Sequence, residues 1–377
     1  MSRIKSIAFS LPIDIKMFLC RTLSILDRHK QHAVDKVDIS SSKDFPNLNS
    51  NEFKRSLKKF FNSSFRKAEG IDKWVDHLYN DEITMLHKGR QDNSHPFIIC
   101  VVKNEGEKLL NFFKHYKELG EFNYVFIDNG STDETVDIII NNGGTVYQCL
   151  QPFETQRKLT WINKVYSTFP VGSWTILLDA DELLIYEGYE TVSINEVLSA
   201  LDKHGIDLCG AAMIDMFPKH PCEKGDYMNN YCLFQNSFHE EKSFFCKSLY
   251  GGIREREFKF GDERIFLIKK HPIIKKTSDT LLIHCHYIFP FERNFSSTIY
   301  FGLLHYKLFD KEIEKYKKIA EQGGYGNGSI EYKTYLNAFS KKSFEDIFKP
   351  DDMTLEFSGT HSIEEIQCIS NIRSLLK

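Results

Sequence analysis

The sequence lacks three features that would indicate particular classes of protein. Its 49 lysines and arginines are balanced by 52 aspartates and glutamates, for a net charge of -3, so it lacks the basic excess expected of a nucleic-acid-binding protein. Its nine cysteines include no CxxC pair, which favours reduced thiols over a disulfide framework. No segment reaches the roughly 20 consecutive apolar residues needed to cross a bilayer. We therefore expect a cytoplasmic protein without a nucleic-acid partner.

An apolar run that ends abruptly in acids is the most informative feature present. Residues 174–178 are β-branched and aliphatic, and Asp179, Asp181 and Glu182 follow them. This pattern predicts a strand buried on both faces, with the acids at its carboxyl end, where open α/β sheets bind ligands. Carboxylates with one residue between them can share Mg²⁺ or Mn²⁺ and, through it, a diphosphate. A solvated acidic turn is the alternative.

The residues upstream of these acids alternate between strand and helix patterns. Apolar runs at 97–102, 124–127 and 145–149 predict strands, and apolar periodicity predicts helices at 107–119 and 155–169. Ser131 and Glu134 have the spacing of a capping box, as do Ser193 and Glu196, so a helix should begin at each pair. The alternation predicts an α/β fold with parallel strands and right-handed crossovers.

Three polar segments that follow successive predicted strands carry a family resemblance. They read Lys103-Asn-Glu, Asp128-Asn-Gly-Ser-Thr-Asp133 and Asp179-Ala-Asp-Glu. In this order they resemble the nucleotide-sugar domain of GT-A glycosyltransferases of the family-2-like type, in a bacterial branch. Later segments at 251–256, 284–287, 303–307 and 328–333 are similar to further blocks of these enzymes, so the resemblance covers roughly residues 95 to 340.

The resemblance implies a GT-A fold, an α/β fold with a mixed, mainly parallel sheet. We expect an N-terminal, mainly helical extension at 1–92, which has no counterpart in the resemblance. The catalytic domain should follow at 93–300, and a C-terminal helical region at 301–377 should pack on it. The implied activity is transfer of a sugar from a nucleoside-diphosphate donor, with a UDP-sugar favoured.

The resemblance also implies a divalent metal, Mn²⁺ or Mg²⁺. Asp181 would be its principal ligand, assisted by Asp179 and by His286, since these enzymes often complete the metal shell with a later histidine. His284 and His286 follow the apolar segment 281–283, and strand alternation would direct both to one side. A structural histidine pair bonded to backbone carbonyls is the alternative.

Donor-binding residues are implied at two further places. The nucleoside would bind near Asn104, Glu105 and Asp128, while Asp133 is expected to cap the following helix. Arginine can hold a diphosphate bidentately. The cationic candidates are Arg157, Arg254 and Arg256, followed by His305 and Lys307, which lie in the later block 303–307.

The acceptor side requires a base. Inverting transfer needs a carboxylate within hydrogen-bond reach of the acceptor hydroxyl; Asp215, at the end of a strand predicted over 208–217, is the first candidate and Glu240 the second. Salt bridges and helix caps are the commoner fate of single acids. The irregular stretch 219–245 should cover the acceptor. By resemblance, the acceptor is a saccharide or lipid-linked saccharide in bacterial lipopolysaccharide or capsule synthesis.

A basic amphipathic stretch precedes the catalytic region. Residues 52–86 read as helical, with Lys54, Lys58 and Lys59 interleaved with Phe53 and Phe60. Packing of the phenylalanine face on the catalytic domain is the favoured interpretation. The alternative is peripheral contact with an anionic inner membrane, which would suit a lipid-linked acceptor.

Two other functions fit parts of the pattern. A nucleotidyltransferase acting on sugar phosphates also places acids after a strand, but it usually has a glycine-rich basic first loop, and Lys103-Asn-Glu-Gly106 is not one. A catalytically inactive GT-A scaffold or binding module would not need the intact pair of Asp179 and Asp181. Metal-dependent turnover of a nucleotide sugar would separate these possibilities.

Overall fold

The computed structural model describes residues 45–63, 68–219, 230–242, 247–259, 266–284, 286–309 and 312–376. Its strands are β1 Thr84–His87, β2 Phe97–Val102, β3 Asn123–Asp128, β4 Thr145–Gln148, β5 Trp174–Leu178, β6 Glu182–Ile185, β7 Leu208–Asp215, β8 Leu233–Gln235, β9 Phe238–Lys242, β10 Lys247–Gly251, β11 Lys269–Lys275, β12 Leu281–Leu282, β13 Ile288–Phe289, β14 Ile299–His305 and β15 Thr354–Glu356. A 3₁₀ helix spans Pro46–Asn49. The α-helices are α1 Asn51–Ser63, α2 Ala68–Asn80, α3 Gly106–Leu119, α4 Thr135–Asn141, α5 Thr155–Tyr166, α6 Ile194–Lys203, α7 Gly252–Glu257, α8 Glu292–Ser296, α9 Ile313–Gln322, α10 Gly326–Phe339, α11 Phe344–Ile347, α12 Thr360–Glu365 and α13 Arg373–Leu376.

Nine of these strands form one mixed sheet in the order β1-β4-β3-β2-β5-β11-β7-β14-β6. Within it, β4, β3, β2 and β5 run parallel to one another, and α3, α4 and α5 provide the crossovers between them. The predicted α/β class and mixed sheet are confirmed, and the four strands predicted before and through the acidic motif occur within one or two residues of their expected bounds.

The remaining strands extend the sheet beyond β5. β11 is antiparallel to both β5 and β7, and β14 is parallel to β7 and antiparallel to β6. The carboxyl ends of β2, β3, β4, β5, β7 and β14 therefore meet at one edge of the sheet, together with the first residues of β11. The polar segments that follow β2, β3 and β5 therefore lie at this edge.

Apolar side chains fill both faces of the sheet. On one face α3 buries Phe113 and Tyr116 against the sheet, whereas Leu110 of the same helix is exposed. The opposite face carries α1, α2 and α5, and its core includes Phe60, Trp74 and Trp161. Full burial of a large apolar side chain contributes about 1.5–3 kcal/mol, so the two layers stabilise the sheet that carries the site.

The two predicted capping boxes have different outcomes. Ser193 and Glu196 form the reciprocal pair at the start of α6. At the start of α4 the side chain of the N-cap residue Glu134 makes no capping hydrogen bond, and the hydroxyl of Ser131 accepts a hydrogen bond from the backbone N–H of Asn104 at 2.9 Å. The prediction at Ser131 was wrong because that hydroxyl joins two neighbouring loops rather than its own helix.

The N-terminal stretch predicted as one helix over 52–86 forms α1, α2 and the edge strand β1. Phe60 is buried and contacts the rings of Trp74, Phe289 and Phe291, which supports the packing role. The carboxylate of Asp81 accepts hydrogen bonds from Arg157 at 2.9 Å and from the indole of Trp161 at 2.6 Å. Residues 1–44 of the predicted extension lie outside the described residues. None of the helices described above is long and apolar enough to span a bilayer.

Candidate functional site

A cleft opens at the edge of the sheet where the parallel strands end. The strand order reverses between β2 and β5, because β3 and β4 lie to one side of this pair and the later strands to the other. Open α/β sheets bind ligands at such switch points. The volume of the cleft is about 1280 Å³, which exceeds the roughly 300–1,000 Å³ of most small-molecule pockets. It has room for more than one small molecule.

Helices α9 and α10 form the wall of the cleft opposite the sheet. Tyr325, Ile330 and Tyr332 line it, and the ring of Tyr325 stacks on Phe153 with centroids 4.6 Å apart. The backbone N–H of Thr155 donates to the carbonyl of Gly324 at 3.0 Å, so the start of α5 is joined to the segment between the two helices. Helices α9 and α10 are therefore tied to the start of α5 at this side of the cleft.

Asp179 holds two ammonium groups at the floor of the cleft. Lys158 donates to its Oδ1 at 2.5 Å and Lys270 to its Oδ2 at 3.1 Å, and Lys270 also bonds the buried carboxylate of Glu182. Burial alone would raise the pKa of Asp179, but the two ammonium groups hold that pKa well below its usual range. For Glu182, burial is the stronger effect and raises its pKa despite Lys270.

The carboxylate of Asp181 has no cation as close to it as those that bond Asp179 and Glu182. The nearest cations to its Oδ2 are Lys108 and the Nε2 of His305, each 3.9 Å away. Lys108 is pulled away by closer partners, since Glu312 lies at 2.9 Å and Glu105 at 3.1 Å. Burial would lower the pKa of Lys108, but these carboxylates raise it well above its usual value.

A buried charged network lies behind this floor. Asp215 accepts from Nδ1 of His305 at 2.6 Å and from Nε of Arg254 at 2.7 Å. Arg254 also bonds Glu331 at 3.1 Å, and Glu331 accepts from Lys307 at 2.9 Å. Burial would raise the pKa of Asp215, but Arg254 and His305 lower it, so Asp215 is an anion.

This network changes the predicted role of Asp215. Its side chain is only 1% exposed, and both carboxylate oxygens are already bonded, so it cannot reach an acceptor hydroxyl in the cleft. Because a carboxylate only accepts, Nδ1 of His305 carries the proton, and Nε2 is the nitrogen that lies towards Asp181. His305 lines the cleft and stands between Asp215 and the substrate space.

The residues present fit a divalent cation in part. Nδ1 of His286 lies 2.6 Å from the carbonyl oxygen of Lys269, so in the neutral ring it carries the proton and Nε2 keeps its lone pair. A metal-binding histidine is commonly oriented by such a bond. Asp181 and His286 are thus donors of the kinds that Mn²⁺ accepts, whereas two lysines occupy Asp179. In the part of the chain that the structure describes, no three histidine, cysteine or acidic side chains form a complete metal site.

The two histidines do not lie on a strand, contrary to the prediction. Strand β12 ends at Leu282, and His284 and His286 lie in the turn that leads to β13. The backbone N–H of His286 donates to Nδ1 of His284 at 3.2 Å, and both residues line the cleft. The backbone-bonded histidine that was the structural alternative is therefore present, in a position that still faces the substrate space.

The loops after β2 and β3 lie beside the cleft, and their side chains differ in role. Asn104 and Glu105 line it, and the amide oxygen of Asn104 accepts from the N–H of Thr132 at 2.7 Å. Asp128 is fully buried and accepts from the backbone N–H of Ser131 at 3.0 Å. Asp128 therefore holds its own loop in shape, and its contact with a nucleoside stays a prediction.

Asp133 closes the same turn, as expected of a capping residue. Its Oδ1 accepts from the N–H of Thr135 at 3.1 Å, and its Oδ2 accepts from the N–H of Gly106 at 3.2 Å. One carboxylate thereby serves the starts of both α3 and α4.

Three further predicted site residues lie away from the cleft in the described structure. Arg157 pairs with Asp81 on the side of α5 that faces the N-terminal helices. Arg256 bonds Gln235 at 2.7 Å and the backbone carbonyls of Ile347, at the end of α11, and Lys349. Glu240 is exposed on β9, opposite Leu249 of β10. The predicted acceptor loop is only partly described, because residues 220–229 and 243–246 lie outside the described ranges.

Sequence reasoning missed three residues at the floor of the cleft. Lys108 and Lys158 lie on helix faces that apolar periodicity does not distinguish, and Lys270 is the second residue of β11. Lysines are common on protein surfaces, so the residue type alone does not identify these three as site residues.

Comparisons with known proteins found limited likeness. No protein-family model and no curated protein matches this chain. Among solved structures, S. aureus TarS is 13% identical, with a TM-score of 0.24, over 35% of this chain and 23% of that chain. Glucosyl-3-phosphoglycerate synthase from Mycobacterium tuberculosis, in complex with Mn²⁺, UDP and glucosyl-3-phosphoglycerate, is 14% identical, with a TM-score of 0.22, over 32% of this chain and 44% of that chain. These two likenesses each span less than half of the solved chain.

Proposed function

We propose that this chain is a metal-dependent glycosyltransferase that moves a sugar from a nucleoside-diphosphate donor to an acceptor hydroxyl. The observation that carries the proposal is the meeting of Asp179, Asp181 and cleft-lining lysines at the strand-order switch point of an α/β sheet. Acids of this kind can hold a divalent cation beside a diphosphate, and the switch point is where such sheets bind nucleotides. The resemblance of the three polar segments points to a UDP-sugar as donor and to bacterial surface saccharides, free or lipid-linked, as acceptors.

The donor would lie across the ends of β2 and β5. Its nucleoside would contact Asn104 and Glu105, and its diphosphate would lie above Asp179 and Asp181. Asp181 and His286 would hold the metal, with the remaining ligands supplied by phosphate oxygens and water, as is usual for Mg²⁺. When bound, the metal supplies a Lewis acid for the charge that develops on the leaving diphosphate.

The acceptor would bind on the side of the cleft formed by β14 and α10. His305 is the candidate base, with Nε2 towards the substrate and Nδ1 held by the buried carboxylate of Asp215. A carboxylate that orients an imidazole and stabilises its protonated form is a common catalytic arrangement. The acceptor oxygen would attack the anomeric carbon as its proton passes to His305, so a single displacement inverts the configuration.

The competing functions differ in what the cleft should bind. A nucleotidyltransferase needs a basic first loop for a triphosphate, but the first loop here presents Glu105, whose carboxylate pairs with Lys108 and Lys315. An inactive scaffold would bind a nucleotide sugar without turning it over. Product analysis therefore separates the nucleotidyltransferase and the inactive scaffold from the proposed glycosyltransferase.

The test is a screen of nucleoside diphosphates and nucleotide sugars with Mn²⁺, first by thermal shift and then by turnover. A ligand at about 100 times its dissociation constant stabilises a protein by roughly 2.7 kcal/mol. The nucleotide that produces such a stabilisation is the one that the cleft binds. We expect a diphosphate sugar to stabilise the protein and to be hydrolysed or transferred only with metal. Stabilisation by nucleoside triphosphates alone, with release of pyrophosphate, would contradict the proposal in favour of nucleotidyl transfer.

A further inference from the structure

Two lysines reach the floor of the cleft from opposite sides of Asp179. Lys158 extends from the first turns of α5, and Lys270 extends from the start of β11. Their ammonium groups bond different oxygens of the same carboxylate, at 2.5 Å and 3.1 Å. Both line the cleft together with Asp181 and His305. Two cations therefore flank the place where the diphosphate of the donor would lie.

The ammonium group of Lys158 can still donate to a ligand. An ammonium group has three N–H donors, and in the described structure Lys158 makes one hydrogen bond, to Asp179. Its side chain is 21% exposed and that of Lys270 is 9% exposed. Buried cations are normally paired; here Lys158 and Lys270 share Asp179, and Lys270 also bonds Glu182. The donors left over on Lys158 lie at the surface of the cleft.

We propose that Lys158 and Lys270 bind the donor diphosphate directly and neutralise it as it leaves. The inference rests on the proposed glycosyl transfer. In the absence of donor, both ammonium groups bond Asp179. When donor is present, they donate to phosphate oxygens of the diphosphate as well.

The chemistry of transfer requires cations at this place. The bond between the anomeric carbon and the β-phosphate oxygen breaks, and its electron pair remains on that oxygen. The bond from the acceptor oxygen to the anomeric carbon forms while the acceptor proton passes to the base. The leaving nucleoside diphosphate thus carries one more negative charge than it did in the donor. Ammonium groups fixed beside it stabilise that charge without reorganising.

The first test compares Lys158→Met with Lys275→Met. Lys275 lies on β11 but pairs with Asp202, whose side chain is partly exposed, at the other end of the strand, so it is a matched control. Isothermal titration with UDP, uridine and inorganic pyrophosphate in Mg²⁺ buffer is the measurement. We expect Lys158→Met to weaken the binding of UDP and of pyrophosphate by about 10- to 100-fold, the range for one hydrogen bond to a charged group. Its affinity for uridine should be unchanged. Lys275→Met should bind all three like the wild type.

Lys270 needs a compensated variant because its removal leaves Glu182 buried without its cation. We expect the double variant Lys270→Met/Glu182→Gln to fold and to lose diphosphate affinity to a similar extent. Circular dichroism of each variant checks the fold.

The outcomes separate this inference from the proposed function. Wild-type affinity for UDP and pyrophosphate in folded Lys158→Met, or an equal loss of uridine binding, would overturn the inference and leave the glycosyltransferase proposal intact. A wild-type protein that binds no nucleoside diphosphate and no pyrophosphate would overturn both.

Discussion

Replacing His305 by asparagine should lower turnover by about 10²- to 10⁴-fold, the usual contribution of a general base. An asparagine side chain can still donate its amide N–H to Asp215, where Nδ1 of His305 donates at 2.6 Å. It cannot replace Nε2, the nitrogen on the cleft side. The substitution therefore removes the basic atom while keeping the buried hydrogen bond.

The companion variant Asp215→Asn should behave differently. Asp215 is the 2.7 Å partner of Arg254, whose side chain is 5% exposed. Removing one partner of a buried ion pair typically costs about 3–5 kcal/mol; Glu331, 3.1 Å from the same guanidinium, should keep the cost at the low end. We expect Asp215→Asn to lose stability as well as turnover, whereas His305→Asn should lose mainly turnover.

Steady-state kinetics at saturating donor, together with thermal melts of both variants, measure these effects. Donor KM and metal affinity should change little in His305→Asn, because a base acts on the acceptor. Proton NMR of the product should show an inverted anomeric coupling. A kcat within about twofold of wild type in folded His305→Asn would refute its role as base, and retention of configuration would refute the single displacement.

Three further predictions concern the metal and the pH range. Asp181→Asn should remove nearly all transfer with the fold intact, and EDTA should do so reversibly; full activity in chelator would contradict the metal assignment. His286→Ala should weaken Mn²⁺ binding about 10- to 100-fold by titration, and an unchanged titration would leave His286 a structural role. Burial lowers the pKa of His115 to about 4, from 6.5 when unfolded, so the unfolded chain binds more protons between these values. The free energy of unfolding should fall by roughly 3 kcal/mol as pH drops from 6.5 to 4. Denaturant titrations of His115→Gln at the same two pH values should show a smaller fall than those of the wild type.

The apolar runs were enough to place the parallel half of the sheet. Strands such as 97–102 and 174–178 are continuous runs of large apolar residues, and the helices between them have a clear apolar face, so local pattern and tertiary burial agree. The same reasoning failed where one side chain serves another segment. Ser131 joins the loop after β2, because its backbone donor, the N–H of Asn104, lies in a loop that only the folded sheet brings beside it.

The acceptor side and the cationic floor of the cleft could not be read in this way. Arg157 and Arg256 have the residue type expected of diphosphate ligands, but their partners, Asp81 and Gln235, lie on distant segments and turn them away. Lys270 had no distinguishing pattern. It reaches the site because β11 runs antiparallel to β5, which brings the start of that strand to the edge where the parallel strands end.

By itself, the sequence determined the α/β class, the strand that ends in Asp179 and Asp181, and the order in which polar segments follow strands. These depend on short-range periodicity and on residue type, which the chain carries locally. Only the tertiary structure decided that His305 stands between Asp215 and the cleft, and that two lysines share Asp179. Such contacts join residues about 90 positions apart for Asp215–His305 and Asp179–Lys270, and strand order and direction set them.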